Sequence, residues 1–328
     1  MRREFPNPLL FSTFLHDHNM KILVTGGAGF IGSHLVEYFQ GSAEIVVLDN
    51  LRSGYLHNLD GFSHFFVEGS VTDRAAVDVA MKGVDFVYHL AAMISVPESV
   101  NKPQECVETN VLGLLNVLES ATAHGVKKVV LASSAAIYGD NPVVPKIEDM
   151  VPEPKSPYAI TKLDGEYYLE MFREERGLQA ASLRFFNVFG PRQDPKSAYA
   201  AAVPTFIQRA LRGEEIIIYG DGEQTRDFIY VKDIVKALAH ITSSEDAKGV
   251  FNVGYGNSIT VNQLAKEIII RSRSKSKLIY KSGRSGDVKH SRACVARLRK
   301  SGYQIEGDLL GGLSQTIASF KDPQSEQY

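Results

Sequence analysis

The sequence predicts an α/β fold, a doubly wound parallel sheet followed by a smaller C-terminal α/β domain. Short β-branched runs alternate with helical stretches as far as Asn187, and a glycine-rich turn joins the first strand to the first helix. After Asn187 prolines interrupt a looser pattern, which predicts a second domain. The chain has 328 residues, a length that accommodates two domains.

Six short apolar runs predict the strands of the sheet, and helical stretches lie between them. The predicted strands are Lys21–Thr25, Glu44–Leu48 with Asp49 at its end, His64–Glu68, Asp85–Leu90, Lys127–Ala132 and Gln179–Phe185. The predicted helices are Ser33–Gln40, Arg74–Lys82, Pro103–His124 and Pro157–Arg176. Because helices connect consecutive strands, the strands are expected to run parallel.

Shorter elements follow in the second half of the chain. Helices are predicted at Pro204–Arg212, Lys232–Ile241 and Val261–Arg271, and strands at Ile216–Tyr219 and Val250–Val253. We assign residues 20–187 to a Rossmann domain, with a return segment near 228–253, and residues 188–322 mainly to a substrate domain. Residues 1–19 are interpreted as an N-terminal extension, and the basic segment 271–284 as a solvated turn.

Composition argues against several classes of protein. Apolar residues make up 44% and charged residues 23%, the proportions of a globular chain. The net charge of −2 argues against broad nucleic-acid binding. There is no run of 18 apolar residues, so no membrane span is expected. Two cysteines, Cys106 and Cys294, are too few for a disulfide framework, which favours a cytoplasmic protein with reduced thiols.

The first turn has the pattern of a dinucleotide-binding loop. Gly26, Gly29 and Gly32 form GxxGxxG, where glycines let the backbone approach a pyrophosphate at a helix N-terminus. A glycine turn alone also serves ordinary loops. Asp49, however, ends the second strand, where a carboxylate binds the ribose 2′-hydroxyl and repels a 2′-phosphate. This favours NAD over NADP, and a purely structural aspartate is the alternative.

Tyr158 and Lys162 form YxxxK at the start of a predicted helix, one turn apart on the same face. A free tyrosine has a pKa near 10, and a base active near neutral pH requires about 3 units less. A lysine ammonium and a cationic nicotinamide favour that change. Ser134 closes the fifth strand, at the edge where open sheets bind ligands. Taken singly, these residues are equally explained as a surface helix pair and a turn serine.

Taken together, the motifs resemble the extended short-chain dehydrogenase/reductase family. In chain order they are GGAGFIG (26–32), DN (49–50), HLAA (89–92), Asn110, SSAAIYG (133–139), YxxxK (158–162), RFFNVFGP (184–191), GDGEQTRDFIYV (220–231) and RSGDVKHS (284–291). The resemblance covers residues 21–298, nearly the whole chain. Within the family, FGPRQDPKSAYAAAVP (189–204) is most similar to UDP-hexose 4-epimerases, especially UDP-N-acetylglucosamine 4-epimerases.

The resemblance implies a role for each matching position. Tyr158 is the implied acid/base, Lys162 lowers its pKa and holds the nicotinamide ribose, and Ser134 contacts the reacting 4′-oxygen. The implied cofactor residues are Gly26, Gly29, Phe30, Ile31, Gly32, Asp49, Asn50, Ser53, Gly54, Ser70, Val71, Leu90, Ala91, Ala92 and Asn110, with Tyr158 and Lys162. The implied substrate residues are Ser133, Ser134, Tyr158, Asn187 (diphosphate), Val203, Tyr219 (uracil), Arg226 and Arg284 (phosphates), Asp287 (ribose) and Ser291.

The resemblance also implies an activity: NAD-dependent C4′ epimerisation of a UDP-hexose through a transient 4-keto sugar. Ala135 and Ala136 stand where sugar-nucleotide 4,6-dehydratases carry an Asp-Glu pair. Ser291 faces C2 of the sugar by resemblance, where a small residue admits the N-acetyl group of UDP-GlcNAc or UDP-GalNAc; the alternative is a turn residue. A UDP-glucose 4-epimerase proper, a nucleotide-sugar dehydratase or reductase, and a non-catalytic NAD-binding protein stay open as alternatives.

Three positions depart from the family pattern. Ser70 replaces an aspartate that faces adenine in many relatives, Ile94 replaces a lysine of galactose-type epimerases, and Cys294 replaces a helix-start aspartate. The resemblance further implies a homodimer, in which Pro103–His124 and Pro157–Arg176 form a four-helix bundle with a second copy. Packing of these helices on the sheet alone is the alternative. No metal, nucleic acid or membrane is expected as a partner.

Overall fold

The computed structural model describes residues 20–195, 201–283 and 288–321. Its centre is a parallel sheet of seven strands. The strands are β1 (Lys21–Thr25), β2 (Glu44–Asp49), β3 (Phe65–Glu68), β4 (Phe86–His89), β5 (Lys128–Ser134), β6 (Gln179–Phe185) and β11 (Gly249–Val253). They lie in the order β3-β2-β1-β4-β5-β6-β11, a Rossmann-type arrangement.

Helices cover both faces of this sheet and build the second lobe. They are α1 (Phe30–Tyr38), α2 (Arg74–Ala80), α3 (Val96–Asn101), α4 (Pro103–Val107), α5 (Gly113–Ala123), α6 (Pro157–Arg176), α7 (Ala202–Leu211), α8 (Val231–Ser243), α9 (Val261–Ser272), α10 (Ala296–Lys300) and α11 (Leu309–Phe320). A π-helical turn, Glu108–Leu112, joins α4 to α5, and 3₁₀ turns occupy Leu56–Leu59 and Ala135–Tyr138.

The second lobe contains three two-stranded sheets. The strands are β7 (Asn187–Phe189) beside β10 (Phe228–Tyr230), β8 (Ile216–Tyr219) beside β13 (Leu278–Lys281), and β9 (Thr225–Arg226) beside β12 (Ile259–Thr260). The first two pairs are parallel and the third is antiparallel. Helices α7, α9 and α11 pack over them around a separate apolar core that includes Phe206, Leu264 and Leu313.

Helix α6 carries Tyr158 and Lys162, and its ends are encoded locally. Ser156 caps the N-terminus by accepting a hydrogen bond from Ala159 N at 3.2 Å, and Pro157 occupies the first turn. Gly177 ends the helix in the left-handed conformation, with φ at 68°. The cap therefore fixes both YxxxK residues within the first two turns of α6.

The predicted fold class and the six strands predicted before Asn187 are confirmed. The later predicted strand Val250–Val253 is also confirmed: it forms β11, the seventh strand of the sheet, beside β6. The prediction of a solvated turn over 271–284 is wrong for much of its described part. Helix α9 ends at Ser272, and Leu278–Lys281 forms β13 against β8. The basic residues obscured a short apolar run whose Leu278 and Ile279 are half-buried. Sequence analysis also missed α3 and α11, which Ser95 and Asp308 cap at their N-termini.

A buried ion pair ties α6 to the sheet. Arg184 of β6 donates from Nε and Nη2 to Glu166 of α6, at 2.9 and 2.7 Å, and both side chains are 4% exposed. Burying two charges costs desolvation free energy that only this paired geometry offsets. Removing one partner therefore leaves the other charge buried without compensation.

Replacing Arg184 with methionine is expected to lower the free energy of unfolding by about 3–5 kcal/mol, because Glu166 loses its partner. Urea unfolding followed by circular dichroism measures this change. Arg74→Met is the matched control, since Arg74 forms ion pairs with Asp78 and Glu119 at an exposed site. Exposed pairs contribute about 0–1 kcal/mol. Equal stability of the two variants would contradict the assignment of this pair as structural.

Candidate active site

A cavity of about 610 Å³ opens at the carboxyl edge of the sheet, between the strand ends and the loop 190–195. Parallel sheets bind ligands at this edge. Residues of the predicted site that line it are Gly26, Gly29, Phe30, Ile31, Gly32, Asp49, Asn50, Ser53, Gly54, Ser70, Val71, Leu90, Ala91, Ala92, Ser133, Ser134, Tyr158 and Lys162. The structure thus gathers the cofactor and catalytic candidates, apart from Asn110, around one cavity.

The glycine turn lies too close to neighbouring backbone for side chains. Gly26 has φ at 72°, and a Cβ there would lie 2.8 Å from Ala91 N. A Cβ on Gly32 would overlap Gly26 O and lie 2.7 Å from Gly27 Cα. Gly29 precedes α1 without a side-chain cap, so the first N–H groups of α1 face no competing side-chain acceptor at that position. This arrangement fits a pyrophosphate.

Asp49 ends β2 with its carboxylate beside the glycine turn and 7% exposed. Its Oδ2 accepts from Ala28 N at 2.9 Å, and its Oδ1 accepts from Leu51 N at 2.8 Å. Burial raises the pKa of this carboxyl, and the two amides oppose that shift. Each oxygen retains a lone pair for a ribose hydroxyl. Together, Asp49 and the glycine turn fit the adenosine half of NAD.

The structure brings Ser134, Tyr158 and Lys162 together. Lys162 donates from Nζ to Ala132 O at 2.8 Å, and its Nζ lies 5.8 Å from the centre of the Tyr158 ring. Ser134 accepts from Ala136 N at 3.1 Å, and its side chain favours the Tyr158 phenolate by lowering the pKa of the phenol. A hydroxyl, a phenol and an ammonium therefore meet at the end of β5, the group that acid/base work on an alcohol requires.

Burial is the largest influence on the protonation of Tyr158 and Lys162. Burial raises the pKa of Tyr158, and the Ser134 side chain only partly offsets it. Burial also lowers the pKa of Lys162 to about 8. The sequence expectation that Lys162 and a bound nicotinamide together lower the pKa of Tyr158 therefore stays a prediction. In the chain alone, exclusion of water disfavours the phenolate, and sequence spacing carries no measure of burial.

Asn110 does not line the cavity. Its Oδ1 accepts from Met93 N at 2.7 Å, and its Nδ2 donates to Met93 O at 3.1 Å and to Thr161 Oγ1 at 3.0 Å. Its amide thus links the loop after β4 to α6. Met93 and Thr109 line the cavity instead. The structure therefore places Asn110 behind Met93, which lines the cavity, and not on the cavity surface where the sequence predicted a cofactor contact.

Two departures from the family pattern lie on the cavity. Ser70 lines it with its Oγ 2.8 Å from Thr72 Oγ1. Ile94 also lines it and is 67% exposed. Ser70 and Ile94 thus place a hydroxyl and an apolar side chain on the cavity where the family pattern has charged residues. This part of the cavity lining is therefore less charged than the family pattern predicts.

Further residues line the cavity that sequence analysis did not identify. Tyr55 donates to Asp194 Oδ2 at 3.0 Å, which joins the loop after β2 to the loop after β7. Arg52 forms ion pairs with Glu98, at 2.8 Å, and with Glu105. The partners of Tyr55 and Arg52 are distant from them in sequence, so a local sequence pattern does not predict these contacts.

The predicted substrate residues lie mainly in the second lobe. Asn187 donates from Nδ2 to Asp227 O at 3.1 Å, and Arg226 donates from Nη1 to Thr225 O at 2.9 Å. Ser291 N donates to the same Thr225 O at 3.1 Å, so Arg226 and Ser291 lie on adjacent backbone. Neither these three nor Tyr219, which is 36% exposed at the end of β8, lines the cavity among the described residues.

Val203 is placed differently from its prediction. Its side chain is 1% exposed and packs in the apolar core of the second lobe. Its apolar character on the amphipathic helix α7 is explained by that core. The Val203 side chain therefore lies in this core and does not line the cavity. The predicted residues Arg284 and Asp287 lie outside the described residues.

Asp227 is a buried carboxylate that sequence analysis did not single out, although it follows Arg226 within a quoted motif. It is fully buried and accepts hydrogen bonds from Tyr255 N, Gly256 N and Ala293 N at 2.9–3.0 Å. Burial raises its pKa to about 6. The carboxylate joins the strand of Arg226 to the loop after β11 and to the segment that follows Ser291.

Asp227 is expected to make stability depend on pH in a defined direction. Its pKa rises from an ordinary value of 3.8 to about 6 in the fold, so the protonated form of Asp227 adds to the free energy of unfolding. This contribution is fully present below pH 3.8 and is lost as pH rises through about 6. The unfolding free energy of wild type minus that of Asp227→Asn should therefore fall by about 2 kcal/mol between pH 4 and pH 7. Urea unfolding across this range measures the difference, and a flat curve would contradict it.

Three further features of the described ranges concern membrane spans, metal ligands and thiols. No helix there is long and apolar enough to cross a membrane. No group of three or more metal-ligating side chains is found in that part of the chain. Cys106 is buried, Cys294 is half-buried, and both are free thiols.

Comparison with known proteins agrees with this geometry. The NAD dependent epimerase/dehydratase family matches residues 22–254. A UDP-N-acetylglucosamine 4-epimerase from Methanobrevibacter ruminantium, in complex with UDP-N-acetylmuramic acid, is 40% identical with a TM-score of 0.90, covering 95% of this chain and 100% of that one. A UDP-glucose 4-epimerase from Thermotoga maritima, with UDP-glucose, is 40% identical with a TM-score of 0.87, covering 94% and 100%.

A third solved structure contains the cofactor. The UDP-glucose 4-epimerase of Thermus thermophilus, in complex with NAD, is 35% identical with a TM-score of 0.85, covering 93% of this chain and 100% of that one. The family match extends over most of the chain and includes the glycine turn, Asp49 and YxxxK. The chain therefore belongs to the NAD dependent epimerase/dehydratase family, of the extended short-chain dehydrogenase/reductase type, and its cofactor is NAD.

Proposed function

We propose that the protein is a UDP-hexose 4-epimerase that interconverts UDP-GlcNAc and UDP-GalNAc, with UDP-glucose and UDP-galactose as further substrates. The observation that carries the proposal is the meeting of Ser134, Tyr158 and Lys162 beside a cavity that fits NAD. Ala135 and Ala136 follow directly, so this segment offers no carboxyl group for dehydration. The relatives from M. ruminantium and T. maritima, both named 4-epimerases, support the reaction.

The cofactor half of the cavity assigns residues to each part of NAD. Asp49 would bind the adenosine ribose, the glycine turn and the N-terminus of α1 the pyrophosphate, and Lys162 the nicotinamide ribose. When bound, NAD supplies the oxidation of C4′ and its reversal, because nicotinamide accepts a hydride and returns it. The chain's own task is to move a proton at the 4′-oxygen and to hold the sugar nucleotide.

Tyr158 performs the proton transfer in this proposal. Its phenolate oxygen takes the proton of the 4′-hydroxyl, directly or through the Ser134 hydroxyl, as C4′ becomes a ketone. The same phenol returns the proton when the ketone is reduced. The Lys162 ammonium, held at Ala132 O, is proposed to stabilise the phenolate once NAD is bound, since burial alone raises the pKa of Tyr158.

Inversion requires that the keto sugar turn while the UDP stays bound. Arg226 and Asn187 are proposed to hold the diphosphate, since guanidinium and amide groups are good phosphate ligands. Ser291 lies on adjacent backbone, is half-buried, and carries a small side chain. A small residue there leaves room for an N-acetyl group and for the rotation that presents the opposite face of C4′.

The substrate preference is tested by NMR of purified enzyme with UDP-GlcNAc and, separately, UDP-glucose, with catalytic NAD⁺. The proposal expects UDP-GalNAc to form without accumulation of NADH. Ser291→Tyr should then reduce turnover of UDP-GlcNAc much more than turnover of UDP-glucose. Conversion of UDP-glucose alone would retain the mechanism and overturn the assignment of Ser291. Accumulation of a keto sugar, or no reaction, would overturn the epimerase proposal.

We also propose that the protein forms a homodimer through α4, α5 and α6. Exposed apolar side chains on these helices and the π-helical turn between them are Val107, Leu112, Ile160, Tyr167 and Met171, at 44–61% exposure. α6 packs beside the α4–α5 segment, so they form one surface. Sedimentation is expected to give twice the mass of one chain, and Tyr167→Glu is expected to shift it towards a monomer. A monomeric wild type would contradict the proposal.

A further inference from the structure

A buried polar network lies immediately behind the catalytic group. Ser133 is 3% exposed, and its Oγ donates to Glu166 Oε1 at 2.5 Å. Glu166 lies one turn after Lys162 on α6 and pairs with Arg184 through both carboxylate oxygens. The residue before Ser134 is thereby hydrogen-bonded to the helix that carries Tyr158.

The network returns to the chain beyond Ser134. Arg184 Nη1 donates to Tyr138 Oη at 2.9 Å, and Tyr138 donates to Asn252 Oδ1 at 2.7 Å. Tyr138 is 1% exposed and closes the 3₁₀ turn that begins directly after Ser134. The backbone on both sides of Ser134 is therefore held by the same ion pair. Ser133, one residue earlier, is bound to Glu166, and Tyr138, four residues later, is bound to Arg184.

We propose that Ser133 and Tyr138 are positioning residues, which act through Glu166 and Arg184 to hold the Ser134 hydroxyl against Tyr158. The inference rests on the proposed function and deepens it. It also replaces the sequence interpretation of Ser133 as a substrate contact. A serine hydroxyl has one proton to donate, and that of Ser133 is given to Glu166.

The composition of the network fits a positioning role. An apolar pair of similar volume often stabilises a core as well as a buried Arg–Glu pair does, so stability alone does not require these charges. Hydrogen bonds are directional, so they fix the distance between two elements. Apolar packing alone specifies that distance less precisely. Here the two elements are the end of β5 and helix α6, which carry Ser134 and the YxxxK pair.

The test compares Ser133→Ala and Tyr138→Phe with Ser120→Ala. Ser120 is a matched control, because it is fully buried and donates to Asp78 Oδ1 at 2.5 Å on the far side of α5. Both network variants are expected to lower kcat by about 10-fold, since small misplacements of reacting groups are costly. KM for the UDP-sugar should change by less than about twofold, and Ser120→Ala should match wild type in both constants.

A second readout follows Tyr158 without turnover. In protein labelled with ¹³Cζ-tyrosine, the Tyr158 resonance is identified by its loss in Tyr158→Phe. Because Ser134 lowers the pKa of the Tyr158 phenol, a Ser134 displaced by Ser133→Ala should shift this resonance, and Ser120→Ala should not. Thermal unfolding of each variant confirms that the compared proteins are folded at the assay temperature.

The outcomes separate the inference from the function on which it rests. An inactive wild type would overturn the proposed function, and the Tyr158 resonance would then decide the inference by itself. An active wild type with Ser133→Ala unchanged in both kcat and the resonance would overturn the positioning role. A raised KM with unchanged kcat in Ser133→Ala would also overturn it, because it would show that Ser133 contacts substrate.

Discussion

Replacing Tyr158 with phenylalanine is expected to lower kcat by about 10²- to 10⁴-fold, the usual contribution of a positioned acid/base catalyst. Among the described residues, neither Lys162 nor Ser134 is placed to take over the proton. Lys162 is hydrogen-bonded to Ala132 O, and Ser134 accepts from Ala136 N and relays rather than stores a proton. The ring of the variant still fills the site, so NAD and UDP should bind as they do to wild type.

Turnover by NMR and binding by calorimetry together measure this result. Tyr168→Phe serves as control, since it removes a phenol hydroxyl from the same helix at a position packed against the sheet core. It should retain wild-type kcat. A Tyr158→Phe variant with more than about a tenth of wild-type turnover would show that another group is the acid/base.

Replacing Gly32 with alanine is expected to weaken NAD binding by at least about 10-fold, because overpacking commonly costs 1–3 kcal/mol. The added methyl would overlap Gly26 O and crowd Gly27 Cα, so the turn that receives the pyrophosphate must move. Backbone atoms cannot rotate away as a flexible side chain can. The effect therefore falls on the geometry of the turn itself.

Fluorescence titration with NAD measures the affinity, and Gly311→Ala is the control. Gly311 lies in α11, where a Cβ would meet its nearest atoms, the Asp308 carboxylate oxygens, at 3.5 Å. An alanine there is compatible with the helix and remote from the cavity. Wild-type affinity in Gly32→Ala would contradict the placement of the pyrophosphate at this turn.

The elements that the sequence predicts best are those encoded by neighbouring residues. Helix α6 has its predicted bounds because Ser156, Pro157 and Gly177 specify both ends locally. The strand β13 was missed because it is only four residues long and follows a basic segment. Its pairing with β8 is a contact between distant residues, which local pattern does not contain.

In the candidate site, too, the features that neighbouring residues encode were predicted better than those that depend on the fold. Motif positions predict which residues approach the cavity, as they do for Asp49 and Tyr158. They do not give the direction of a side chain, so the hydrogen bond from Ser133 to Glu166 could not be predicted from them. They give no measure of burial either, so the rise that burial causes in the pKa of Tyr158 could not be predicted from them. Asp227 was overlooked because its three partners are brought together only by the fold.

The central claim is that C4′ is oxidised and reduced again within one active site. The most direct test follows UDP-GlcNAc deuterated at C4′, with catalytic NAD⁺, by NMR. The account predicts UDP-GalNAc that retains deuterium at C4′, with no accumulation of NADH. Loss of the deuterium to solvent, or a lasting keto sugar in place of the epimer, would contradict it.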